Sequence, residues 1–486
     1  MEKLRTIITQ DAEVDDQNSL RHLLFYANEV EIEGIIQTSS RFHWAGTENT
    51  NPAVPGPTVS KTEAKCNEKP YRWTGYQWMW EVLDAYEVDY PKLSCHSSGY
   101  PSPEYLRSVT KIGNISFGGE IDKPSEGSEL IRKAILKEDK RTLYIQMWGG
   151  MNTVARALFD IEHEYRDTDE WESIHHKISE RIVFLACGQQ DNTYKDYIAE
   201  VWPDIACVEI SMMESYAYAW KLLPESDSRD TLDAPFMQKW IVNRNSELMK
   251  NYCTWFDGQF YPGEELEGQF GSGKDIKEKW FGNYFHLPDP EKGEFISEGD
   301  SPTFLGLVFH GFRFPENLGA RAFCGRFIRT EMLNSKGESV NYWKSVKEEI
   351  HGKNGENRLG ESMFPFTAMI QRDFAARIGW ASNEENPCYP PSVEIAEGYE
   401  FTGFAGEEMT LHLSASSNDA GSVLLNAELD NPVSVVGAEI SLSGNELKIM
   451  IPTVAKSGDQ ISVIICAKSN DTYQLSSYRY ILINVA

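Results

Sequence analysis

The sequence is short of positive charge: 46 Lys and Arg stand against 74 Asp and Glu, for a formal net charge of −28 and a pI of about 4.8. That deficit excludes nucleic acid and anionic membrane surfaces as partners, because both need a basic face. There is also no apolar run of the roughly 18 residues that a membrane span requires. Cysteine is sparse and scattered, at Cys66, Cys95, Cys187, Cys207, Cys253, Cys324, Cys388 and Cys466, with no CxxC pair. Zinc and dithiol redox chemistry are therefore not expected, and Cys187, Cys207 and Cys466 read as small core residues within apolar strand-like runs. Tryptophan is missing after Trp380. The last hundred or so residues thus lack the aromatic ring most suited to a flat sugar-binding face. The first strand starts almost at Met1, so no signal peptide is visible. The reading leans to a secreted or periplasmic chain whose signal has been removed.

What is present is a chain of 486 residues, 41% hydrophobic and 12% aromatic. That suffices for two or three domains with sizeable cores. Its most informative stretch is Ile7-Ile8-Thr9-Gln10-Asp11-Ala12-Glu13-Val14-Asp15-Asp16. An apolar strand, about Leu4 to Ile8, runs into a turn that holds Asp11, Glu13, Asp15 and Asp16. A helix follows, with Leu20, Leu23 and Leu24 at core-facing spacing. Carboxylates this close repel one another. A divalent cation would offset the repulsion, and calcium, which takes six to eight oxygen ligands in irregular geometry, suits such a turn. The plainer alternative is that Asp15 or Asp16 only caps the helix.

Further along, strand, polar loop and helix recur. A strand at about Glu31–Gln37 ends in Thr38-Ser39-Ser40-Arg41-Phe42-His43-Trp44. A helix is predicted over Tyr71–Tyr90, stopped by Pro91, and another from Ser102, closed by Gly113. A strand over Thr142–Met147 runs into Trp148-Gly149-Gly150-Met151-Asn152-Thr153. The next, Ile182–Cys187, ends in Gly188-Gln189-Gln190-Asp191-Asn192, and Cys207–Ile210 follows after one more helix. This is an α/β, Rossmann-like pattern with a mainly parallel sheet, whose site is built from loops at the strand C-termini. Helical and loop segments are expected to continue to Trp380. Residues 387–391 read as a linker between a first domain, 1–386, and a second, 392–486. In the second, short alternating runs separated by turns predict a small all-β, immunoglobulin-like sandwich.

The turn at Asp11–Asp16 resembles the nucleoside hydrolase signature Asp-Thr-Asp-Pro-Gly-x-Asp-Asp. Aligned on Asp15-Asp16, its second Asp falls on Asp11, its first on Thr9 and its Pro-Gly on Ala12-Glu13. Gly149-Gly150-Met151-Asn152-Thr153-Val154-Ala155 looks like that family's second motif, and Asp300 in Glu298-Gly299-Asp300-Ser301-Pro302 looks like its late aspartate. Along the whole chain, phrases such as Ser98-Gly99-Tyr100-Pro101 and Asp373-Phe374-Ala375-Ala376-Arg377 resemble a bacterial cellulose-binding family. That family joins a nucleoside hydrolase-like domain to a C-terminal β domain. The resemblance implies a calcium ion held by Asp11, Asp16, Asp300 and the Asn152 carbonyl. It also implies Asp11 as general base and Asp15 as a sugar-hydroxyl ligand. Arg41, His43, Trp44, Trp148, Gln189, Gln190, Asp191 and Asn192 are the candidate contacts to sugar or leaving group. The implied function is calcium-dependent hydrolysis of an N- or O-glycoside, with a small sugar, nucleoside or oligosaccharide as ligand. The alternative is a carbohydrate-binding protein, for cellulose or another plant polysaccharide, on a hydrolase scaffold. Self-association into a homo-oligomer stays open. Some nucleoside hydrolases place a His just before the late aspartate; here that position is Gly299.

Overall fold

The computed structural model describes residues 2–47, 70–259, 290–308, 318–417 and 422–486. Most of the polar stretch Ala45–Pro70 and part of the aromatic stretch Trp220–Phe285 lie outside those residues. Eight strands form the first sheet: β1 (Leu4–Gln10), β2 (Val30–Gln37), β3 (Thr110–Ile112), β4 (Leu143–Met147), β5 (Ile182–Ala186), β6 (Ala206–Glu209), β7 (Phe327–Thr330) and β8 (Tyr342–Ser345). Their order is β3-β2-β1-β4-β5-β6-β8-β7, and only the pairing of β7 with β8 is antiparallel.

Every residue of β1 is buried, as a central strand covered on both faces requires. Alternate residues serve opposite layers. Ile8 joins a core with Leu20, Leu23 and Leu24 of α1 (Val14–Phe25), Met79 and Leu83 of α2 (Gln77–His96), and Phe374 of the helix Thr367–Ala381. Ile7 joins a second core on the other face. It packs there with Ile131 of α4 (Glu126–Leu136), Val154 and Leu158 of α5 (Asn152–Tyr165), and Ile178 of α6 (Trp171–Arg181). The short α3 (Pro103–Val109) starts on its Ser102 cap. The chain progresses outward one way through β2 and β3 and the other way through β4, β5 and β6. The two directions diverge between β1 and β4, which opens a crevice at their C-terminal ends. Asp11 and Trp148-Gly149-Gly150 stand there.

Three sequence expectations need correction. The helix predicted over Tyr71–Tyr90 is Gln77–His96 and passes through Pro91. Pro91 and Glu87, whose carbonyl loses its helical donor to the proline, are both on the exposed face, where water can hydrogen-bond that carbonyl. Gly113 closes no helix. The chain leaves α3 at Val109, and β-branched Thr110 and Ile112 pair with Ile35 and Gln37 of β2. The stretch before Trp380, read as helix and loop, also carries β7, β8 and a hairpin of β9 (Lys347–His351) and β10 (Asn357–Glu361). These strands are largely polar or exposed, so apolar periodicity did not mark them.

From Ser392 the chain makes eight strands: β11 (Ser392–Ile395), β12 (Glu400–Gly403), β13 (Glu408–Ser416), β14 (Val423–Leu429), β15 (Glu439–Ser443), β16 (Glu446–Met450), β17 (Gln460–Ser469) and β18 (Ser476–Val485). Two four-stranded sheets, β11-β13-β16-β15 and β12-β18-β17-β14, enclose a core of Val393, Leu413, Ile449, Val463 and Ile481. This sandwich leans on the α/β part. Ile464, Tyr473, Leu475 and Tyr478 belong to the same core as the helix Thr367–Ala381. A buried ion pair, Arg326 with Asp430, crosses the junction, and the Tyr473 hydroxyl donates to Glu384 Oε2 at 2.7 Å.

Candidate functional site

The acidic turn is tied by its own side chains. Asp16 lies in the first turn of α1. Its Oδ1 accepts from the Asp11 N–H at 3.1 Å and its Oδ2 from the Glu13 N–H at 3.0 Å. Asp16 thus does the work of a capping residue while its carboxylate stays in the crevice. Between them Ala12 is buried with φ of 76°, a left-handed conformation that costs a non-glycine residue roughly 1–3 kcal/mol and clusters at functional sites.

Asp15, Asp16 and Asp300 come together: one oxygen from each lies within 4.8 Å of the others. Asp300 reaches the crevice from the loop before the short helix Pro302–Leu305. Thr303 fastens that loop, donating from its backbone N–H at 3.0 Å and its hydroxyl at 2.6 Å to the Asp300 carbonyl. Glu298 fastens it from below, with Oε2 at 2.6 Å from the Ser301 hydroxyl and 2.5 Å from His22 Nδ1. Asp11 stands beside the trio and faces His43, whose Nδ1 is 3.5 Å from Asp11 Oδ2.

The electrostatics of this group are lopsided. Asp11, Asp16 and Asp300 are 1%, 1% and 2% exposed. Asp300 Oδ2 is buried without a hydrogen-bond donor among the described residues, and the Asp11 carboxylate, also buried, faces His43 Nδ1 at 3.5 Å. Arg72 approaches Glu13 at 3.6 Å, but no lysine or arginine among the described residues pairs with Asp11, Asp15, Asp16 or Asp300. Burial pushes the Asp15, Asp16 and Asp300 carboxyls well above the usual carboxylate range, and their acidic neighbours push further. Asp11 goes the other way. Burial would raise it, but the charge and hydrogen bond of His43, helped by Asp16 and Ser40, hold it below its ordinary value. The carboxyls of Asp11, Asp16 and Asp300, buried, and of Asp15, half-buried, match the hard oxygen donors that calcium prefers.

The loop after β4 explains its glycines. A Cβ on Gly149 would meet Asp11 Cβ at 2.7 Å, and one on Gly150 would run into both Asp191 Oδ2 and the Ser39 carbonyl. Asn152 is the first residue of α5, and its N–H donates to Asp191 Oδ2 at 3.1 Å. Its side chain is engaged elsewhere, donating to Ser39 Oγ and to the Asn114 and Glu120 carbonyls, each at 3.0 Å.

A cleft of about 580 Å³ opens beside the acidic trio. Of the eight candidate sugar contacts, Gln189 and Gln190 line it. Gln189 Nε2 also donates to the Tyr342 hydroxyl at 2.9 Å, and Gln190 holds the Trp148 carbonyl. The other six are not among its lining residues. Trp148 is 1% exposed and donates from Nε1 to Thr303 Oγ1 at 2.8 Å, so it braces the Asp300 loop. Trp44 stacks on Tyr71 with ring centres 4.7 Å apart. His43 is turned to Asp11. Asp191 bridges Thr193 and α5, the Asn192 carbonyl accepts from the Asp196 N–H at 2.9 Å, and the Arg41 N–H donates to the Gln190 carbonyl at 2.8 Å. The remaining wall comprises Glu209, Met212, Met213, Glu214, Tyr218, Lys347 and Glu361 among others. Sequence reasoning missed these residues. Glu209 alone carried a signal, as the end of a buried strand.

Residues 5–327 match the family model described as cellulose-binding Sde182, nucleoside hydrolase-like domain. The solved structure of a nucleoside hydrolase-related protein from Saccharophagus degradans, described as associated with carbohydrate metabolism, covers 100% of this chain and 100% of its own. It does so at 22% identity with a TM-score of 0.70, a likeness of fold. A plant nucleoside hydrolase, PpNRh1, covers 78% of this chain and 99% of its own at 8% identity and a TM-score of 0.34. Fibronectin(III)-like modules of Clostridium thermocellum CbhA cover 29% of this chain and 60% of their own at 13% identity and a TM-score of 0.15. At such scores neither of these two defines the architecture. No curated protein matches the chain. No helix among the described residues is long and apolar enough to cross a membrane.

Proposed function

This chain belongs to the family of cellulose-binding Sde182 proteins with a nucleoside hydrolase-like domain, and from that premise we propose that it is a calcium-dependent glycoside hydrolase. The observation that carries this reading is the meeting of Asp15, Asp16 and Asp300 within 4.8 Å at the switch point of the sheet, the last two buried and none with a basic partner among the described residues. Isolated buried charge of that density is costly unless a cation accompanies it. The proposed donors are these three carboxylates, with Asp11 and the Asn152 carbonyl as further oxygens. Once bound, a calcium ion would polarise a water and lower its pKa.

Asp11 is the general base in this mechanism. His43, with Nδ1 at 3.5 Å from Oδ2, favours its ionised form, in which it can take a proton. The water's oxygen attacks the anomeric carbon through an oxocarbenium-like transition state, and its proton passes to Asp11. Asp15 lines the cleft and orients sugar hydroxyls. Gln189 and Gln190 supply amide groups to the same cleft. A cleft of about 580 Å³ lies within the usual 300–1,000 Å³ of ligand sites. Its size suits a small sugar, a nucleoside or a short oligosaccharide. The family description fits an extracellular setting, where such a saccharide would be met.

A second reading, carbohydrate binding without turnover, is favoured by one feature. Gly299, which has no acid, stands where some nucleoside hydrolases carry one, and a Cβ there would meet Asp15 Oδ2 at 2.8 Å, so a larger residue would displace the Asp15 carboxylate. The test is a hydrolysis panel of nucleosides and 4-nitrophenyl and methyl glycosides, with calcium or with EDTA. Calcium-dependent release of free sugar supports the hydrolase. Calorimetric binding of the same compounds with no release supports the binding protein.

A further inference from the structure

With glycine at position 299, a proton for the leaving group has to come from another part of the cleft. Its acidic lining outside the cation cluster comprises Glu13, Glu209, Glu214 and Glu361. Three of these are engaged. Glu13 faces Arg72 at 3.6 Å and accepts from the Tyr218 hydroxyl at 3.3 Å. Glu209 accepts from the Tyr342 hydroxyl and has Lys344 at 3.8 Å. Glu214 is paired with Lys347 at 2.8 Å.

Glu361 differs from all three. It ends β10, directly opposite Lys347 in the hairpin register, and is 4% exposed. It has no ion-pair partner among the described residues, because Lys347 is turned to Glu214. Its Oε2 is fixed by three donors: the Glu214 N–H at 3.1 Å, the Ser215 N–H at 2.9 Å and the Ser215 hydroxyl at 2.6 Å. Oε1 makes no hydrogen bond among the described residues and is left for the cleft that Glu361 lines. One oxygen is thus held and the other offered, as a positioned proton donor needs. We propose that Glu361 is the general acid that protonates the leaving group, an assignment that rests on the hydrolase reading above.

The surroundings agree. Burial, and then the charge of Glu214, push the Glu361 carboxyl above its ordinary range against the pull of the Ser215 hydrogen bonds. The proton balance closes. As the bond from the anomeric carbon to the leaving oxygen or nitrogen breaks, that atom takes the Glu361 proton. Water supplies hydroxyl to the carbon and its proton to Asp11. Solvent then reprotonates Glu361 and removes the proton from Asp11.

The experiment compares Glu361→Gln with the parent on 4-nitrophenyl and methyl glycosides of one sugar. The amide oxygen of Gln can still accept from Glu214 and Ser215, so the loop is kept. A methyl glycoside needs its leaving oxygen protonated, whereas 4-nitrophenolate departs without help. Glu361→Gln is therefore expected to lose about 10²–10⁴-fold in kcat/KM on the methyl glycoside and only a small part of that on the 4-nitrophenyl glycoside. The basic limb of the pH profile should vanish with it. Equal losses on both substrates, or an unchanged limb, would overturn the assignment. If Glu361→Gln does not fold, Ser215→Ala carries the test. Removing a hydroxyl that favours ionised Glu361 should move the basic limb to higher pH on the methyl glycoside, and a stationary limb refutes the role. If the parent turns over nothing on the panel, the hydrolase reading itself falls, and this assignment with it. If the parent turns over both glycosides but the variant's losses are equal, only the assignment falls.

Discussion

Replacing Asp300 by Asn tests the cation site without needing a substrate. The change is nearly isosteric, and the new amide can donate to Asp15 or Asp16, whose oxygens lie within 4.8 Å. At that separation two carboxylates repel by about 3.5 kcal/mol at an effective permittivity near 20. The full value is not available, because Asp15, Asp16 and Asp300 are all raised by burial and by each other, so each holds its proton above the ordinary carboxylate range. A gain of about 1–3 kcal/mol is expected for the cation-free protein, or a few degrees in Tm. The sign with pH follows from the raised values. Groups that hold protons more tightly folded than unfolded favour the fold below their unfolded pKa and lose that contribution as pH rises through the folded one. The cation-free parent should therefore weaken as pH rises above the ordinary carboxylate range, and Asp300→Asn should weaken less. Calcium should reverse the parent's loss, by about 2.7 kcal/mol at a hundredfold excess over Kd, and more at pH 8 than at pH 5, where protons compete. Asp300→Asn should lose most of that increment. Thermal melts of both proteins, with EDTA or calcium at the two pH values, decide it. A variant that melts below the parent equally at both, with the calcium increment intact, would refute the reasoning.

Asp11→Asn should keep the fold but lose about 10²–10⁴-fold in turnover, and a calcium titration should not restore it, because added cation supplies no proton acceptor; full recovery would remove Asp11 as base. Asp430→Asn leaves Arg326 buried at the domain junction with only Glu348 at 3.1 Å, and should cost about 3 kcal/mol. Urea unfolding should then show the C-terminal sandwich separating first, and an unchanged midpoint would contradict the role of the pair. Gly150→Ala drives a methyl group into Asp191 and the Ser39 carbonyl and should destabilise by about 1–3 kcal/mol, read as a lowered Tm.

Much of this molecule was legible as a string of residues, because the informative relations were local. One turn of chain puts Asp11, Glu13, Asp15 and Asp16 beside one another whatever else the protein does, and a buried strand ahead of them sets that turn at a sheet edge. The order of strands and helices through Cys207, and the alternating runs after Ser392, carried the two-part architecture for the same reason: side-chain periodicity is a property of a few neighbouring residues. Polar, exposed strands escaped that signal, so β7 through β10 were not foreseen.

The tertiary structure decided what depends on distant segments meeting. Asp300 could be matched to a motif by resemblance, but its contact with Asp15 and Asp16 exists only because Thr303, Trp148 and Glu298 fix its loop against the sheet. Trp44 and Trp148 looked equally able to wall a ligand. Packing turned one onto Tyr71 and the other onto Thr303, since a buried indole must bring its ring and its N–H to partners. Glu361 gave no sign in an exposed-looking hairpin. It became a candidate acid only when β10 folded against the loop after β6, where burial and three donors set its charge. Spacing along the chain determines which groups can share a turn, whereas the company a carboxyl keeps across the fold determines whether it binds a cation, takes a proton or gives one.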